Sequence, residues 1–292
     1  MGKKYIKWVL GIAGLFCILF FILFFAIVLS SGGLPFGDKV AVVEVDGIIT
    51  EPGSINKQLK EYGERDDVKA VVVRINSPGG GVGPSQEIYR EVKKVAAKKK
   101  VVVSMGAVAA SGGYYIAAAA DKIIANPGTI TGSIGVIMEF ANAEGLLNKI
   151  GFKGYVIKSG EYKDIGSPLR GMKDNEKKLL QDVIDDVHKQ FVDVVAENRK
   201  LKIDVVKRFA DGRIFSGQQA KNIGLVDEIG NFQDAIDIAA SMANIKGKPV
   251  VIYPEKKGIR LWDIIFGDAA SQVIQRLKGG YGLQYLSIQS EQ

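Results

Sequence analysis

The 292-residue chain is 47% hydrophobic and carries a single cysteine, a single histidine and a formal net charge of +7. Its one cysteine, Cys17, lies in an apolar run, which excludes a disulfide framework, a zinc site built on cysteines and a cysteine nucleophile. Lys3, Lys4 and Lys7 account for three of the positive charges and leave +4 dispersed over the rest, too little for a nucleic-acid surface.

The first predicted element is Trp8 to Ser30, 23 consecutive residues without a charge. At 1.5 Å per residue this run spans a hydrocarbon layer of roughly 30 Å. It is longer than a signal-peptide core, and no good small-x-small cleavage site follows it, so it reads as an uncleaved signal anchor. The lysines ahead of it leave residues 1–7 in the cytoplasm and everything after about Leu34 outside.

Beyond the linker at 31–37, short valine- and isoleucine-rich runs alternate with helical patterns, the signature of an α/β fold. Predicted strands are KVAVVEVDGII (39–49), KAVVVRIN (69–76), KVVVSMG (100–106), KIIANP (122–127), GVIME (135–139) and GYVIKSG (154–160). Predicted helices fall near 54–65, 84–99, 111–120 and 143–150. A long amphipathic helix over 174–200 follows, with Leu179, Leu180, Val183, Ile184, Val187, Phe191, Val194 and Val195 on one face. His188 adjoins that stripe and reads as a boundary residue, since no serine accompanies it. Residues 205–243 give two or three short helices. The amphipathic stretch 258–280, with Leu261, Trp262, Ile265 and Phe266, reads as a packing surface between subunits, with contact with the membrane surface as the alternative, and the last dozen residues as a mobile tail.

Two glycine-rich elements follow predicted strands. In AVAASGGYY (107–115), Ser111 stands where a strand turns into an apolar helix, a place suited to an exposed nucleophile, while Gly112 and Gly113 leave room for a substrate backbone. An N-capping serine would look the same locally. In INSPGGGVG (75–83) the glycine spacing fits neither a dinucleotide fingerprint nor a P-loop, which leaves a backbone nest that can present N–H groups to an oxyanion. With one distant histidine, a Ser-His-Asp arrangement is not available, and the base must be a lysine, aspartate or glutamate. Position alone does not choose among the many lysines.

INSPGGGV, GAVAASGGYYIAAAADKIIANPGTITGSIGVI, KSGEYKDIGSP and GRIFSGQQAKNIGLVDEIG together resemble the bacterial signal peptide peptidase A family, over about residues 38–245. These are membrane-bound serine proteases with a Ser-Lys dyad. The resemblance implies a crotonase-like or Clp-protease-like fold, a superhelix of repeated ββα units, preceded here by one transmembrane helix. It carries the nucleophile onto Ser111, the general base onto Lys163 and a lysine-positioning serine onto Ser133, with oxyanion donors from Gly79 or Gly80 and from Gly112. It further implies hydrophobic peptide substrates such as signal-peptide remnants, a lipid membrane as the second partner, and no metal, nucleotide or other cofactor. Residues 38–245 would form the peptidase domain and 246–292 an extension and tail. Longer family members hold two tandem copies of the fold with the lysine in one and the serine in the other. A single-copy chain is therefore expected to assemble as a homo-oligomer. A crotonase-type acyl-CoA enzyme and an inactive anchored scaffold are the alternatives.

Overall fold

The structure, a computed structural model, describes residues 2–30, 37–254 and 284–286. The amphipathic stretch 258–280 lies outside the described residues. Helix α1 (Gly2–Ser30) covers the predicted anchor, and its described large apolar side chains, from Leu15 to Phe24, are exposed. Among the described residues no helix is long and apolar enough to cross a membrane. The sequence of α1 contains the 23-residue uncharged run.

The body is built on β1 (Lys39–Asp46), β2 (Val68–Ser77) and β4 (Lys100–Ala110), three parallel strands, with β1 and β2 in register from Val40↔Ala70 onward and β2 and β4 from Ala70↔Lys100 to Ile75↔Met105, after which the register shifts so that Ser77 pairs Ala109. Their near-continuous valine runs suit a parallel sheet covered on both faces. Alternate residues divide between the two faces, as the period of a strand requires. Val43, Val73 and Val103 join the larger core beneath α2 (Gly53–Glu64), α3 (Val82–Ala96), α4 (Gly112–Ala117) and α6 (Asp174–Arg199). Val40, Val72 and Val102 face Ile236 and Ala239 of α9 (Phe232–Met242). Edge-on ring contacts of Tyr115 with Tyr89 and Phe191, centroids 5.1 and 5.0 Å apart, tie α4 to α3 and α6.

Strand β4 changes partners along its length. Its first half pairs β5 (Lys122–Ala125) and its second half β6 (Ile130–Gly132), so that Ala110 stands opposite Gly132. β6 pairs antiparallel with β7 (Ile214–Ser216), whereas β5 pairs parallel with β8 (Glu228–Ile229) and β1 parallel with β9 (Val250–Ile252).

Two predicted strands are not strands. Residues 154–160 are irregular and exposed, Tyr155 at 88% and Ile157 at 102%. GVIME forms no regular strand either, only an isolated bridge at Ile137. Apolar content predicted burial, but no residue from 135 to 175 is buried in the chain, even though α5 (Glu144–Lys149) forms there. Helix α6 is as predicted, yet only its later half is core: Val187, Phe191 and Val195 are buried, whereas Leu179 and Val183 are exposed. Three residues of the tail form a strand. β10 (Gln284–Leu286) pairs antiparallel with β3 (Gly79–Gly81), Tyr285 opposite Gly80.

Candidate active site

Ser111 terminates β4 and caps α4. The end of β4 is held by hydroxyls from the neighbouring strand: Thr131 Oγ1 donates to the Ala109 carbonyl at 2.6 Å and Thr129 Oγ1 to that of Gly106 at 2.7 Å. Ser111 itself donates its N–H to Gly132 O at 2.8 Å and accepts from Tyr115 N at 2.8 Å. These bonds fix it at φ 53°, ψ −117°, a region a side chain occupies only at a cost of about 1–3 kcal/mol. Its side chain makes no capping hydrogen bond to α4. The hydroxyl is fully buried and has no hydrogen-bond partner among the described residues.

Ser133 comes to the same place by the same pairing. It follows Gly132, donates its N–H to Arg213 O at 2.8 Å, is buried, and also has a positive φ, 49°. Gly132 is required because a Cβ there would sit 2.6 Å from the Phe215 ring at φ +79°.

The glycine strip β3 is clamped from the other side. Ile49 donates its N–H to Gly79 O at 2.9 Å and accepts from Gly81 N at 2.8 Å. A Cβ on Gly80 would lie 2.2 Å from Ile49 O. Ser77 Oγ accepts the Gly79 N–H at 3.1 Å, so that donor is already engaged. Gly113 approaches the same loop: its Cβ would meet Ser77 O at 2.9 Å. The strip, Ser77, Gly112 and Gly113 therefore form a tight backbone surface beside Ser111, with β10 lying along its open edge. Ser77 had no signal in the sequence beyond adjacency to the glycines, and Ile49, thirty residues upstream of them, had none.

Within the chain no hydrogen bond joins the Ser111 hydroxyl to Lys163. It lies exposed in the turn 161–166, its N–H bonded to Gly160 O at 3.2 Å, and its ammonium has no partner among the described residues. Its neighbour Asp164 is tightly held, by Arg170 and by Lys158. His188 is a structural residue: a ring nitrogen meets Ala210 O at 2.7 Å and joins α6 to the segment after α7 (Ile203–Lys207). Burial raises the phenol of Tyr114, three residues after Ser111, well above its usual range, and its hydroxyl donates to Leu225 O at 2.9 Å. Among the described residues no group of three or more His, Cys, Asp or Glu side chains could hold a metal ion.

Residues 93–246 match the family model for peptidase family S49. The chain belongs to that family. It spans Ser111, Ser133 and Lys163, and the S49 peptidase is accordingly a serine endopeptidase. A Synechocystis protein designated a protease is 50% identical over 71% of this chain and 75% of its own length. An Enterococcus faecium protein named for signal peptide peptidase SppA is 38% identical over 74% of this chain and 67% of its own. Protease 4 of Salmonella typhi is 36% identical over 72% of this chain but only 35% of its own length, so this peptidase spans about a third of that relative. Residues 48–129 also match the Clp protease family model, in keeping with the α/β Clp-like fold of the S49 peptidase. A ClpP1 mutant from Listeria monocytogenes superposes with a TM-score of 0.46 at 21% identity, covering 66% of this chain and 93% of that one.

Proposed function

We propose that this S49 peptidase is a single-pass, membrane-anchored endopeptidase that cleaves hydrophobic peptides outside the cytoplasm, signal-peptide remnants above all. Ser111 is the nucleophile and Lys163 of a neighbouring protomer the general base. The observation that carries this reading is the Ser111 hydroxyl, buried, at positive φ and without a partner in its own chain. Buried polar groups in native proteins are almost always paired, and a base supplied by a second copy completes the site.

The neutral Lys163 amine takes the Oγ proton as the oxygen attacks the peptide carbonyl carbon. The oxyanion is stabilised by the N–H of Gly112 and of Gly79 or Gly80; the bond from Gly79 to Ser77 favours Gly80. The Lys163 ammonium then protonates the leaving amine, and a water activated by the same amine releases the acyl group. Ser133 accepts a hydrogen bond from the amine and orients it without adding a negative charge that would hold the proton.

The antiparallel seat of β10 on β3 supports a substrate that binds as an added strand along the glycine edge. The uncharged run in α1 supports the anchor, and the exposed apolar side chains Tyr155, Ile157, Leu179 and Val183 support association with further copies. Labelling of the full-length protein with a fluorophosphonate tests the core of the reading. Adduct on Ser111, lost in both Ser111→Ala and Lys163→Ala, is the expected result. Wild-type turnover by Lys163→Ala would remove lysine from the mechanism.

A further inference from the structure

The arm that carries Lys163 has no core of its own: residues 135 to 175 contain no buried side chain. What fixes the turn is ionic. Arg170 grips Asp164, the residue after Lys163, with Nε to Oδ2 and Nη2 to Oδ1, both at 2.9 Å, and Nη2 also reaches the Asp164 carbonyl at 3.2 Å. Lys158 Nζ adds a bond to Asp164 Oδ1 at 2.5 Å and one to Glu161 O at 2.7 Å, so the turn is held on both sides of Lys163.

The same guanidinium faces Glu176 in the first turn of α6, with Nη1 to Oε2 at 2.8 Å and Nη2 to Oε1 at 2.5 Å. Glu176 is only 1% exposed, although it is charged, and its Oε2 also accepts the Lys173 N–H at 2.9 Å. Further along, α6 enters the core through Val187, Phe191 and Val195. A continuous path therefore runs from the core through α6, Glu176, Arg170 and Asp164 to the turn bearing Lys163. An exposed ion pair contributes little to stability, and a buried carboxylate is costly unless fully satisfied. A double clamp with a buried carboxylate at its root suits fixing a geometry better than adding stability.

We infer that Arg170 is a positioning residue: it joins Glu176 to Asp164 and thereby sets where the Lys163 amine is presented to Ser111 of the adjoining copy. The inference rests on Lys163 being the base. Both faces of the guanidinium are used, so only its planar fork makes the connection, and a lysine cannot replace it. Misplacement of a catalytic group by about 1 Å costs on the order of 100-fold in rate.

Arg170→Gln, Arg170→Lys, Asp164→Asn and the double variant Asp164→Asn/Arg170→Gln would be assayed as full-length protein beside Lys163→Ala, with a hydrophobic reporter peptide. Each single change should lower kcat on the order of 10- to 100-fold with KM within about twofold of wild type. The double variant should be no worse than the poorer single one, because both act through one connection. Guanidinium at concentrations far below denaturing should partly restore kcat to an Arg170→Ala variant and to no Asp164 variant. Wild-type kcat in the isosteric Asp164→Asn variant overturns the inference, as do losses that multiply in the double variant or that appear as a raised KM. Should Lys163→Ala remain active, the assignment of the base fails first; if it is inactive while the Arg170 variants are unimpaired, only the inference fails.

Discussion

Ser111 and Ser133 hold backbone conformations that glycine would adopt without strain, φ 53° and 49°. Retaining a hydroxyl at both is therefore informative, since a position that needed only the conformation is better served by glycine. Ser111→Ala should remove nearly all turnover while leaving the melting temperature near wild type, because the side chain makes no hydrogen bond to lose. Ser133→Ala should act more mildly, and a loss of no more than about twofold would take Ser133 out of the site. The glycines divide sharply by their surroundings. Gly80→Ala forces a Cβ against the Ile49 carbonyl, so the strip must shift and both activity and stability should fall. Gly83→Ala, in the first turn of α3 with open space around it, should keep activity and raise stability by about 0.4–1 kcal/mol. Thermal melts of the pair measure the difference; equal behaviour would mean that the strip is not held as Ile49 holds it. Ser111 was legible in the sequence as a serine at a strand-to-helix turn. Its strain was not, because the turn is imposed by Gly132 and Thr131 from a strand some twenty positions later.

At the scale of elements, strands β1, β2, β4 and β5 and helix α6 were legible because valine runs and a 3.6-residue stripe are local signals. The failures at 154–160 and in the first half of α6 share one cause: an apolar pattern reports that a surface is to be covered, not which chain covers it. β6 and its switch of pairing with β4 escaped notice because three residues carry too little pattern. The arm between β6 and α6 has a pH dependence of its own. Hydrogen bonds from Arg170 and then Lys158 hold the Asp164 carboxyl well below the usual carboxylate range, and bonds from Arg170 and then the Lys173 N–H hold Glu176 at about 2. A depressed carboxylate contributes its stabilisation above its unfolded value of about 4 and loses it as pH falls toward the folded one. Amide protection in residues 158–172 should accordingly be constant down to about pH 5 and decline below about pH 4, while the sheet amides of β2 and β4 stay protected. Arg170→Gln should show low protection in the arm already at neutral pH. Exchange rates in the arm that track those of the sheet through this acid range would show that the clamp does not control it.

For the whole molecule, the proposed Ser-Lys site bears on the assembly. Ser111 is buried on the sheet body and lacks a partner, whereas Lys163 is exposed on an arm whose apolar side chains are also exposed. Under the proposed dyad, a monomer would carry both an incomplete site and an uncovered surface, and a ring of copies, each laying its arm beside the Ser111 of the next, would remove both defects with one repeated contact. Subunit mixing tests this. Ser111→Ala and Lys163→Ala proteins, each inactive, are unfolded together and refolded in equal amounts. If the dyad is shared, a site is whole when its serine comes from a Lys163→Ala subunit and its lysine from a Ser111→Ala neighbour. Random mixing gives that arrangement at about a quarter of the sites, so activity should return to about a quarter of wild type and vary with the mixing ratio, highest at equal amounts. If each dyad forms within one chain, every subunit lacks one member and no ratio restores turnover. That outcome would reject the shared site and require the arm to fold back onto its own Ser111, while leaving the Ser-Lys chemistry to be judged by the single variants.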